Sequence, residues 1–168
     1  MKNLLVFAIA LVFLIPLART AFAAPAAKPT ATGTISTVTR VPFKGSLQST
    51  ETYSNSLTTL SVSASGSGNA TQIGQFTIRY QSEVNLFDFS VIETTQFTGS
   101  NGDSLQAKGI GQASENRTPG MFNVVQIYTI TGGTGRFAGA SGTITLNRLM
   151  SLTTGATTST FEGYLLMP

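Results

Sequence analysis

The chain has 168 residues, with 10 Lys and Arg against 7 Asp and Glu for a formal charge of +3, and it has no Cys, His or Trp. Without Cys or His there is no disulfide framework, no zinc or copper site of the usual kinds, and no Ser-His-Asp or Cys-His nucleophile. Any catalysis would fall to carboxylates, Tyr, Arg, Lys or Ser, and the composition calls for no metal and no cofactor.

In chain order, Lys2 followed by the apolar run Leu4 to Leu17 has the profile of a secretory leader, and Ala21-Phe22-Ala23 supplies the small residues of a cleavage site. The uncharged run is short for a membrane span of about 20 residues, so a cleaved signal peptide at 1–23 is expected rather than an anchor. The protein is therefore expected to be secreted or periplasmic, with no membrane association after cleavage. Lys2 and Arg19 leave with the leader, and eight of the ten basic residues then face seven acidic ones. The remaining cations are scattered singly, which argues against a nucleic-acid partner.

Residues 24–32, rich in Ala, Pro, Thr and Lys, read as a flexible linker. From 33 to 168 the chain is long enough for one domain with its own core. No segment repeats apolar residues at helical spacing for three turns, while β-branched and aromatic residues cluster between Gly, Asn and Ser breaks. The expected class is all-β. Strands are predicted at 33–43, 45–52, 57–65, 73–82, 85–97, 104–113, 121–131, 142–150 and 157–166, the first two forming one bent strand if the count is eight. That suits an antiparallel barrel, with a β-sandwich as the alternative. Gly66 to Asn69 reads as a loop.

Alternation then assigns faces. Phe76, Ile78 and Tyr80 share one side of their strand; Phe87, Phe89, Val91 and Glu93 share another; Ile144 and Leu146 align with Arg148; and Glu162 aligns with Tyr164 and Leu166. The strand at 121–131 is apolar on both faces, with Met121, Val125 and Ile127 opposing Phe122, Val124 and Ile130, so its outer face is expected to be covered by a loop or another subunit. Elsewhere the second face is Thr, Ser, Gln and Asn, which is the wrong polarity for a barrel whose outside meets lipid. The segment Thr131 to Gly142 has the glycines of a phosphate loop. It lacks the following Lys-Ser/Thr and leads into a strand, so it reads as a turn at Gly132-Gly133 with Phe137 pinned inward.

The sequence Gly-Gly-Thr-Gly-Arg-Phe-Ala-Gly-Ala-Ser-Gly at 132–142 resembles the hairpin signature of the allene oxide cyclase and dirigent barrel group. Ala70 to Thr77, Asn101 to Leu105 and Phe161 to Tyr164 resemble other segments of its bacterial secreted members. The resemblance spans about residues 70–165. It implies an eight-stranded antiparallel barrel of calycin-like shape, often a dimer or trimer, in a group whose plant enzymes cyclise an unstable epoxide or guide radical coupling. Their pocket motifs have no residue-by-residue match here, so that isomerase or guide activity is not carried over.

An eight-stranded barrel has an interior filled by side chains or holding one small ligand. Polar residues on core faces mark the place where such a ligand would meet chemistry. Tyr80, Glu93, Tyr128, Arg148 and Glu162 are the candidates for a pocket that takes a small apolar or amphipathic molecule. The other reading is a structural or interaction module with a filled barrel.

Overall fold

The computed structural model describes residues 37–168. The predicted signal peptide, the linker and the first residues of the predicted first strand lie outside this range.

Eight antiparallel strands follow one another around a closed barrel: β1 Thr39–Asn55, β2 Thr59–Ala70, β3 Gly74–Asn85, β4 Ser90–Gly99, β5 Ser104–Glu115, β6 Met121–Gly133, β7 Ser141–Ser151 and β8 Ala156–Met167. Strand β8 returns to pair with β1 from Thr39↔Met167 to Thr50↔Ala156, so the sheet has no edge. The two predicted segments at 33–43 and 45–52 form one 17-residue strand, β1, because Gly45 lets its backbone pass tightly over Asn69 and Ala70 without a break. The predicted loop Gly66 to Asn69 is instead the end of β2, paired with both β1 and β3. Its small residues serve close packing: a Cβ on Gly68 would lie 2.7 Å from the Phe76 ring.

One end of the barrel is apolar. Phe43, Phe76, Phe97 and Phe161 meet there with ring centroids 5.2–6.2 Å apart, mostly at steep angles, an arrangement that adds to their burial energy. Ile73, Leu105, Leu165 and Phe137 seal the layer. Phe137 points inward as predicted. The turn differs, however: Gly132 and Gly133 still belong to β6, whose register against β5 shifts beside Ala107. The chain turns later, through one turn of 3-10 helix at Gly135–Phe137. Gly135 and Gly139 take the positive φ values of 58° and 75° that this path requires. Thr134 Oγ1 accepts from Ser104 N at 3.1 Å, and Arg136 Nε lies 3.2 Å from Asp103, tying this loop to the β4–β5 turn.

The opposite end carries the loops after β1, β3, β5 and β7. Here the prediction that Phe87 and Phe89 face the core fails. Residues 86–89 form a turn: Asn85 Oδ1 accepts from Phe87 N at 2.8 Å and Asp88 Oδ1 from Ser90 N at 2.9 Å. These local bonds end the strand before alternation can carry the rings inward. Phe87 is 79% exposed, and Phe89 holds a positive φ of 57°, a strained conformation for a bulky residue. On the outer face of β6, no loop among the described residues supplies the expected cover, which leaves the alternative of another subunit. Ile127 stands directly beside Ile110 of β5, which stands beside Ile92 of β4, and all three are more than half exposed.

Candidate functional site

Between the phenylalanine layer and the loop end, the core changes character. Ser49, Glu51, Ser82, Glu93, Thr95, Gln126, Arg148, Thr157 and Ser159 all point inward and are buried. Each sits on the inward parity of its strand, so the barrel's own alternation delivers them to one place. Arg148 of β7 is the centre. Its Nη1 and Nη2 donate to Glu93 Oε2 and Oε1 at 3.1 and 3.2 Å, a two-pronged pairing, and Nη1 reaches Glu51 Oε1 at 3.4 Å. The guanidinium also lies over the Tyr80 ring, 4.2 Å from its centroid.

The two carboxylates are held by different donors. Glu93 accepts from Tyr128 Oη at 2.5 Å, Thr95 Oγ1 at 2.8 Å and Gln126 Nε2 at 3.2 Å, besides its two bonds from Arg148. Glu51 accepts from Tyr80 Oη at 2.6 Å and from Tyr53 Oη at 2.8 Å. The Tyr53 hydroxyl also lies 3.4 Å from the carbonyl of Ser151, so this half-buried ring bridges the polar cluster to the last residue of β7. Space for the Tyr128 ring comes from its cross-strand neighbour Gly109, where a Cβ would stand 2.9 Å from the ring.

Burial, together with the Glu51 carboxylate that each faces, pushes the phenols of Tyr53 and Tyr80 above the ordinary tyrosine value. Burial and the charge of Glu93 do the same for Tyr128. All three therefore act as hydrogen-bond donors across the neutral range. Burial is the largest single influence and opposes the Arg148 cation, but Glu93, Tyr128 and Tyr80 together outweigh it and hold the guanidinium more firmly protonated than usual. The cluster thus gathers two glutamate side chains around one guanidinium inside the barrel.

Of the five residues picked from the sequence, the fold gathers Tyr80, Glu93, Tyr128 and Arg148. It excludes Glu162, which faces outward opposite Lys44 of β1 and is exposed. Strand β8 is apolar on both faces, and Phe161 and Leu165 take the inside, leaving Glu162 on the wet side. Sequence reasoning missed Glu51, which shares parity with Leu47 and Tyr53. The signal was thin: the predicted strand at 45–52 offers only Leu47 and Ser49 to mark that face, and Tyr53 lies just past its predicted end, while the strand runs on to Asn55. Gln126 was equally legible, two residues from both Val124 and Tyr128.

Buried side chains pack this interior, and one concavity of the barrel has Leu47, Phe76, Val124, Arg148 and Ser159 among its lining residues. The polar cluster lies on the loop-end side of the phenylalanine layer. Tyr53, Leu60 and Phe122 are half-buried against the core there, and beyond them stand Leu57, 98% exposed, Leu86, Phe87, Phe89 and Leu152. The loops carrying this rim are joined in pairs: Leu86 N donates to Thr58 O at 2.9 Å, and Leu152 N to Gly120 O at 3.0 Å. No protein-family model matches the chain, and no characterised protein matches its sequence.

Proposed function

We propose that this protein is an exported barrel that binds a small amphipathic molecule at its loop end, apolar part against the rim and polar part toward the Arg148 cluster. One observation carries the reading: a buried, charged, tyrosine-lined cluster lies at the same end as five exposed large apolar residues, Leu57, Leu86, Phe87, Phe89 and Leu152. Exposed apolar side chains gathered at one place mark interaction sites. A polar group set beneath an apolar mouth orients what enters it. Since side chains fill the space, the ligand must displace the roof, and Tyr53 is the movable piece, its hydroxyl held by Glu51 and Ser151.

Methyl octyl ketone is the probe, followed by native mass spectrometry and calorimetry. A one-to-one complex is expected, weakened about tenfold in a Leu57→Ser, Phe87→Ser double variant by loss of apolar contact. Glu162→Gln, on the outer wall, should bind as the parent does. The absence of any complex at millimolar ketone sinks the reading.

Export rests on Lys2, the run Leu4 to Leu17 and the small residues before Ala24. Protein recovered from the exported fraction should begin at Ala24; an N-terminus that retains the leader would overturn this.

A second reading, self-association through the barrel wall, is favoured by the row Ile92, Ile110, Ile127, which lies on the outside of three adjacent strands with no charged residue among its members. The expected light-scattering mass is a multiple of the chain mass, falling to the monomer in Ile110→Asp. A parent protein that is monomeric at every concentration tested rejects it.

A further inference from the structure

Among the described residues, two buried polar side-chain atoms have no hydrogen-bond partner, Arg148 Nε and Ser159 Oγ. They are not independent. Arg148 and Ser159 are directly paired across β7 and β8, both point into the barrel, and they are 4% and 3% exposed. Two orphaned donors on paired residues in a buried interior would each bear the full cost of desolvation, a situation native proteins resolve with a water or a ligand atom. We infer that Arg148 Nε and Ser159 Oγ form a subsite for one neutral oxygen.

The occupant's charge follows from the surroundings. Arg148 already pairs with Glu93 at 3.1 Å and Glu51 at 3.4 Å, so a carboxylate ligand would meet two carboxyl groups already engaged with the one guanidinium and be repelled by them. A neutral acceptor meets no such repulsion. Carbonyl, ether and hydroxyl oxygens qualify, and a carboxylate does not. The Nε–H donates, and the Ser159 hydroxyl can turn to donate to the same oxygen. In the free protein the oxygen belongs to a water; resting on the amphiphile-binding reading above, in the complex it belongs to the ligand. The substrate class is therefore a neutral oxygenated amphiphile such as a ketone, ester or alcohol.

The experiment has two arms. A high-resolution crystal structure of the ligand-free protein should hold a water within hydrogen-bond distance of both Arg148 Nε and Ser159 Oγ. If those atoms instead pair with protein groups and no water is present, the subsite does not exist. In solution, methyl octyl ketone should bind at least about tenfold more tightly than decanoate, and Ser159→Ala should weaken the ketone about five- to tenfold, the loss of one hydrogen bond. Equal binding of ketone and decanoate, or a Ser159→Ala variant that folds and binds the ketone unchanged, overturns the selectivity. Should the ketone fail to bind while the water is present, the amphiphile reading falls and the oxygen site stands.

Discussion

Arg148→Met is expected to cost about 3–5 kcal/mol of folding stability, read as a lowered urea midpoint with unchanged slope. The reason is electrostatic rather than volumetric. Methionine fills much of the same space, but its removal of the guanidinium strips Glu93 of a two-pronged partner and Glu51 of its cation, leaving two carboxylates inside one barrel. Tyr128, Thr95, Gln126, Tyr80 and Tyr53 still donate to them, which softens the loss without neutralising the charge. A triple variant, Arg148→Met with Glu51→Gln and Glu93→Gln, should regain most of the stability, since removing a buried ion cluster whole is often close to neutral. If the single variant is as stable as the parent, the cluster is not closed in the way described. If the triple variant is as unstable as the single one, shape rather than charge governs this layer.

Phe137→Ala is expected to cost about 3–5 kcal/mol, the range for deleting a buried ring. Phe137 is 1% exposed and seals the apolar end of the barrel from a loop rather than from a strand. Its loss opens a cavity that the loop cannot easily collapse into. Thr134 is tied to Ser104, Arg136 to Asp103, and Ala140 N donates to Phe137 O at 3.0 Å, so the backbone is held on both sides of the gap. Phe87→Ala, a ring of the same size at the other end and 79% exposed, should move stability by no more than about 0.5 kcal/mol. Equal effects of the two would mean that the Gly-rich loop does not plug the barrel.

The elements differ in how far alternation could be trusted. In β3 and β7 one face is apolar and the other Thr, Gln or Asn, so the inward placement of Tyr80 and Arg148 could be read directly. In β8 both faces carry large apolar residues, periodicity cannot choose between them, and Glu162 was placed on the wrong side. At 86–89 the apolar pattern ran on, but Asn85 and Asp88 offered the backbone a turn, and local hydrogen bonds won. The site followed the same division: Tyr80 and Arg148 stood on strands with clear faces, Tyr128 on a strand with two apolar faces, Glu93 on one whose face was read partly from Phe87 and Phe89, and Glu51 on one whose marking aromatic, Tyr53, lay past the predicted end.

Composition and period-2 alternation by themselves determined that the chain is all-β, that it has no disulfide, and that Tyr80, Glu93, Tyr128 and Arg148 lie on core faces, because these are properties of single strands. Only the tertiary structure decided that those side chains meet. Pairing of β1 with β8 closes the sheet and brings Glu51 to within 3.4 Å of Arg148, nearly a hundred residues along the chain. That contact depends on strand register and barrel closure, which involve pairs of distant segments and leave no local mark in the sequence.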